Sequence, residues 1–93
     1  MRWLQVLLKD TYFLRKLKIL QPKHVNFRMK DITIAFSDGF KFDYILRNQN
    51  DWIEIDIPNG AHSNFVNITG NSGYGRGYYG MAEIQAFGCH PGI

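Results

Sequence analysis

The residue types best suited to holding another molecule gather in "NSGYGRGYYG" (71–80), where Tyr74, Arg76, Tyr78 and Tyr79 alternate with glycines. A tyrosine ring offers a flat amphipathic face that stacks on a sugar or enters a lipid interface. A guanidinium adds five fixed donors suited to hydroxyls, carboxylates or phosphates. Glycines allow the backbone its positive-φ turns. Two other chemistries fit less well. Arg-Gly-rich nucleic-acid segments repeat and are disordered, whereas this stretch has one Arg and runs into the strand-like "MAEIQAFG" (81–88). A phosphate loop needs Gly-x-x-x-x-Gly-Lys-Ser/Thr, or a Gly-x-Gly-x-x-Gly turn opening a helix. Gly73-x-Gly75 and Gly77-x-x-Gly80 lead into a strand instead. The plainer structural reading has Tyr78 and Tyr79 capping a core and Arg76 as a solvated loop charge.

Catalytic sets are missing from the sequence. His24, His62 and His90 stand apart, and there is no His-x-x-x-His pair, Cys-x-x-Cys pair or Gly-x-Ser-x-Gly elbow. Asp43, Glu54 and Asp56 read as solvated strand charges. The expectation is therefore no enzyme, no metal and no cofactor. Asn67-Ile68-Thr69 fits the glycosylation sequon, which makes Asn67 a glycosylation candidate. The single cysteine, Cys89, reads either as a surface thiol or as half of a disulfide whose partner lies outside this chain.

The elements that must position these residues follow from length and alternation. A chain of 93 residues implies one domain. A net charge of +3 is far from the density that demands a nucleic-acid partner. No apolar run approaches the ~18–20 residues of a membrane span, and "MRWLQVLLKD" lacks the small-residue cleavage site of a signal peptide. Period-two runs predict seven short strands, at 3–8, 14–20, 31–36, 40–46, 52–58, 64–69 and 81–88. Leu17 and Ile19 face inward with Lys16 and Lys18 outward. Ile32, Ile34 and Phe36 share an inner face, as do Phe40, Phe42, Tyr44 and Leu46, then Ile53, Ile55 and Ile57, then Val66 and Ile68. Asp38-Gly39 marks a hairpin turn. No helix is expected. The fold class is an all-β antiparallel β-sandwich, of jelly-roll type.

In order, the motifs resemble those of discoidin domains, the coagulation-factor type C domains of the galactose-binding-like superfamily. "WLQVLLKDTYFLRKLKIL" is similar to that family's early core, "NFRMKDITIAFSDGF" to its next hairpin, "DWIEIDIP" and "SNFVNIT" to the strands that follow, and "GYYGMAEIQAFGC" to its closing signature. Relatives usually have Asp-Leu-Gly where this chain has Leu7, Leu8 and Lys9. The resemblance spans Trp3 to Cys89 and covers the C-terminal two-thirds of a family domain. It implies a sandwich lacking its N-terminal strands, together with the portion that carries calcium sites in some relatives. In many relatives the last cysteine pairs with one near the domain start. Cys89 matches the former, and the latter has no counterpart here.

Strands that alternate in direction place connections 21–30, 47–51 and 70–80 at one end of the sandwich, and 9–12, 37–39 and 58–63 at the other. In discoidin-like domains the end away from the termini carries the ligand. The resemblance thus implies a non-catalytic recognition module, extracellular or at the cell surface within a longer parent, that binds a glycan or a partner protein. Its site residues would be His24, Asn26, Arg28, Tyr74, Arg76, Tyr78 and Tyr79. An anionic membrane surface and an ancillary structural role in a larger enzyme are the alternatives, and no nucleic acid is expected. An open sheet edge, or Cys89, would favour self-association.

Overall fold

Isoleucine at every second position builds the strands. Ile53, Ile55 and Ile57 are buried while Glu54 and Asp56 between them are exposed. Ile32, Ile34 and Phe36 repeat the pattern. β-Branched side chains suit a pleated surface with one buried face, and each fully buried one contributes roughly 1.5–3 kcal/mol. The computed structural model describes residues 2–24, 27–75 and 83–89. Its strands are β1 (Arg2–Leu20), β2 (Asp31–Phe36), β3 (Lys41–Ile45), β4 (Trp52–Gly70) and β5 (Glu83–Cys89). They form an antiparallel sheet in the order β3-β2-β4-β1-β5. The fold is all-β and sandwich-like, as the alternation predicts.

Five strands replace the seven expected, because 3–8 and 14–20 join into β1, and 52–58 and 64–69 into β4. A straight 19-residue strand would measure about 60 Å, yet the longest dimension of the protein is 44 Å. The β1–β4 ribbon therefore bends, at two register shifts. Leu7 pairs with Phe65 and the next pair is Tyr12 with Ser63, so residues 8–11 stand opposite Asn64. Leu14 pairs with Ala61 and the next pair is Lys16 with Asp56, so Arg15 stands opposite residues 57–60. Asn59 and Gly60 have φ of 61° and 71°, the paired positive values that an Asn-Gly turn supplies. The turn chemistry is real, but it inserts a local corner into a continuing strand instead of ending it.

The corner divides the sheet into two halves. β3, β2, the 66–70 part of β4 and the 2–7 part of β1 form one; the 52–56 part of β4, the 13–20 part of β1 and β5 form the other. Leu17, Ile19, Ile53 and Ile55 from the second half share one hydrophobic cluster with Ile32, Ile34, Val66 and Ile68 from the first. β5 contributes little to it: Ile84 is half-buried and the rest of the strand is exposed. At the Ser37–Gly39 hairpin only Gly39 takes a positive φ, 93°. Gly39 N–H donates to the Phe36 carbonyl and Phe40 N–H to the Asp38 carboxylate, the arrangement of a three-residue hairpin loop rather than a two-residue one.

Candidate functional site

The folded ribbon explains why three connections meet. Leu20, Trp52 and Glu83 are register partners at the end of one half. Gly70 and Ile32, with Asp31 and Ile45, are partners at the end of the other. The strand ends that flank the connections 21–30, 46–51 and 71–82 thus all lie at the same end, one on each half.

Hydrogen bonds tie the described parts of these connections together. Lys30 N–H donates to the Ser72 carbonyl, Tyr74 N–H to the Arg28 carbonyl and Leu46 N–H to the Lys30 carbonyl. Met29 and Gly73 form an isolated antiparallel bridge. Beneath them lies Gln21, fully buried, whose carboxamide donates to the Met29 carbonyl (2.6 Å) and accepts from the Met29 N–H (3.2 Å). Asn50 closes the third side by donating to the Gln21 carbonyl at 2.8 Å. Burying a polar side chain is tolerated when its groups are paired in this way.

Of the residues named from the sequence, His24, Arg28 and Tyr74 lie in this cluster. Arg28 is half-buried and uses its fork internally. Nε donates to the Pro22 carbonyl (2.9 Å), Nη2 to the Lys23 carbonyl (2.8 Å) and Nη1 to Asn48 Oδ1 (2.9 Å). Tyr74 donates its hydroxyl to the Leu46 carbonyl, and the Lys30 ammonium stands 5.9 Å from its ring centre. Both side chains are thus engaged in shaping the end. His24 is exposed, its ring 5.4 Å from that of Phe27. Phe27, 42% exposed, was missed by sequence reasoning; an aromatic in a connection of turn residues was the available signal. Asn26, Arg76, Tyr78 and Tyr79 lie outside the described residues.

The opposite end assembles Ser37, Asp38, His62 and Ser63, residue types that elsewhere perform nucleophilic catalysis. Their geometry is that of a corner. Ser63 Oγ, buried, receives the Ser37 N–H (2.8 Å) and lies 3.1 Å from Ser37 Oγ. Asp38 accepts the backbone N–H of His62 (3.1 Å), while the imidazole packs edge-on against Phe13 at 4.8 Å. Among the described residues no base-to-nucleophile contact is formed, and no group of three or more His, Cys, Asp or Glu side chains converges as metal ligands would.

Two adjoining clefts of about 600 and 620 Å³ lie on the outer face of the three-stranded half. They share Arg15 and Lys16; Phe13 and Asp56 line one, Lys18, Glu54 and Phe87 the other. The two lysines meet partners within the protein. Lys16 pairs with Glu54 at 3.0 Å, and Lys18 lies 5.5 Å from the Phe87 ring centre. The hydrogen bond and charge of Glu54 raise the Lys16 pKa, and those of Lys16 lower that of Glu54.

Cys89 ends β5 as an exposed thiol opposite Phe13. Asn67 lies mid-strand in β4, between Gln5 of β1 and Ala35 of β2. Its Oδ1 is buried without a hydrogen-bond partner.

Comparison with known proteins finds no matching family model, no matching curated protein and no matching solved structure. The likeness to discoidin domains rests on the sequence motifs alone.

Proposed function

We propose that the chain is a non-catalytic recognition module that binds a glycan or a partner protein through connections 21–30, 47–51 and 70–80, in an extracellular or cell-surface setting. The observation that carries the reading is the mutual bonding of three connections at one end, with His24, Phe27 and Lys30 exposed on it. A cross-braced set of loops is held in one geometry before a ligand arrives, which lowers the ordering cost of binding. Connection 70–80 supplies the chemistry, since Tyr78, Tyr79 and Arg76 combine stacking surfaces with a planar donor fork.

The test is a glycan array, paired with pull-down on vesicles containing anionic phospholipid. Binding to one class of glycan that Tyr78→Ala and Arg76→Ala each reduce at least tenfold, with circular dichroism unchanged, supports the reading. Vesicle binding alone replaces it with membrane attachment. Silence in both assays, together with no partner protein captured, leaves a structural role.

A further inference from the structure

We infer that the ligand of the end where the three connections meet is an acidic glycan, one carrying carboxylate or sulfate groups. The inference rests on the recognition reading above and names its ligand class. Lys23, Arg28, Lys30, Arg47 and Arg76 belong to connections 21–30, 47–51 and 70–80, and Asp51 is the one acidic residue in them. That is a net of +4 in a chain whose total is +3, so the remainder carries −1. The strand ends that flank the connections add Arg2, Asp31 and Glu83. With these counted, the end holds +3 and the rest of the chain is balanced. The whole net charge of the protein is thus concentrated at one end. A field so placed draws anions to that end and orients them as they approach.

The fold gathers these cations without neutralising them. The Arg28 guanidinium donates to the Lys23 carbonyl, Leu46 N–H donates to the Lys30 carbonyl, and the Gln21 carboxamide lies 3.4 Å from the Arg47 carbonyl. Lys23, Lys30 and Arg47 are exposed, and among the described residues none of the three forms an ion pair. Asp51 turns its carboxylate to the Trp52 N–H at 2.8 Å. Arg28 commits Nε, Nη1 and Nη2 to internal acceptors, so it supplies charge and bracing while Lys23, Lys30 and Arg47 keep their donors for a ligand. Aromatic rings stand among the charges. Phe27 is exposed beside Arg28, and the Lys30 ammonium stands 5.9 Å from the Tyr74 ring centre. Tyr78 and Tyr79 follow in connection 70–80. Rings accept the apolar face of a pyranose, while guanidinium and ammonium groups take its acidic substituents. A lipid surface calls for large aliphatic tips, and in the described parts of the connections the exposed large apolar side chain is Phe27.

The test is calorimetric titration of the full chain with a heparin-derived hexasaccharide, an oligogalacturonate and a neutral galacto-oligosaccharide of the same length. One or both acidic sugars should bind at least tenfold more tightly than the neutral one, and the preference should fade in molar salt. The sulfated and the carboxylated sugar tell the two acidic groups apart. Lys30→Gln and Arg47→Gln should each weaken acidic-sugar binding at least threefold with unchanged circular dichroism. Lys9→Gln and Lys18→Gln remove the same charge elsewhere and should leave it intact. The comparison of sugars and its salt dependence use the unaltered chain, so they hold the inference to account even if a variant fails to fold. Equal affinity for acidic and neutral sugars, or equal loss in all four variants, overturns the inference and leaves the recognition reading standing. Tighter capture by single-stranded DNA, or by vesicles of anionic phospholipid, than by any sugar overturns it in favour of another polyanion. Binding to no sugar, acidic or neutral, removes glycan recognition itself and the inference with it.

Discussion

Gln21 and Met29 are bonded as two strand residues would be, except that one partner is a side chain. The Gln21 carboxamide occupies both the carbonyl and the N–H of Met29, and the glutamine is fully buried. β1 ends at Leu20, so this side chain carries its edge one residue further, into the end where the three connections meet.

Gln21→Leu keeps the volume and removes the amide, leaving the Met29 N–H and carbonyl without that partner. An unsatisfied buried polar group costs about 1–3 kcal/mol, so a loss of roughly 2–3 kcal/mol is expected in urea unfolding. Hydrogen exchange at the Met29 amide should rise in step. A midpoint unchanged from the parent would mean that water replaces the amide and that the end is looser than its bonding suggests.

The core was legible in the sequence because burial follows period two. Ile32 and Ile34, Ile53 and Ile55, Val66 and Ile68, and Leu17 and Ile19 all lie where alternation places them. The strand breaks were misread for a physical reason. Asn59 and Gly60 do adopt turn dihedrals, but whether a turn reverses a chain or kinks a strand depends on what pairs beyond it, and sequence carries no local mark of that. Gln21 and Ser63 could not be found either, since nothing in a polar residue type announces burial; the partners arrive from Met29 and Ser37. Arg28 and Tyr74 were legible as residue types. How many of their donors the protein itself consumes was not.

Gly60 and Phe13 should be energetically coupled. A Cβ on Gly60 would overlap the Phe13 ring, and its φ of 71° disfavours any side chain. The left-handed conformation alone costs roughly 1–2 kcal/mol, and ring displacement adds to it. Gly60→Ala should therefore cost about 2–4 kcal/mol in the parent and about 1–2 kcal/mol in a Phe13→Ala background. Gly88 provides the contrast: there the added Cβ meets the Phe13 carbonyl and Leu14 Cα, which are backbone. Trimming the Phe13 side chain should leave the cost of Gly88→Ala unchanged. Equal costs for Gly60→Ala in both backgrounds would remove the ring from the account.

The Lys16–Glu54 pair sets a pH window. Glu54 has its pKa lowered below 4.5 by hydrogen bonding and charge from Lys16. Its contribution is present above the unfolded value and is lost as pH falls through the folded one. Lys16 has its pKa raised above 10.5 by the same contacts with Glu54. Its contribution is full below the unfolded value and is lost as pH rises through the folded one. Stabilisation from the pair thus spans the interval between the two ordinary values, and solvent and salt screen it. Thermal melts of Glu54→Gln should fall slightly below the parent near pH 7 and converge with it at acid pH or in molar salt. A difference that persists at acid pH would point to packing of the Glu54 stem, not to its charge.

Arg28 tests whether the candidate site is shaped or merely exposed. Its three bonds join Pro22, Lys23 and Asn48, which span two of the three connections. A lysine ammonium lacks the planar fork needed to reach all three acceptors at once. Arg28→Lys should therefore behave like Arg28→Ala, each costing roughly 1–2 kcal/mol for hydrogen bonds that are partly solvent-exposed. Protection of the Lys30, Leu46 and Tyr74 amides, which link the connections, should drop in both. Asn48→Ala removes one acceptor from the same brace and should reproduce part of the effect. If Arg28 acts by holding the connections, ligand affinity should decline in parallel with amide protection across the three variants. If the guanidinium itself grips the ligand, Asn48→Ala should keep affinity while Arg28→Lys loses it. A parallel decline assigns Arg28 to positioning and leaves recognition to the side chains it holds in place.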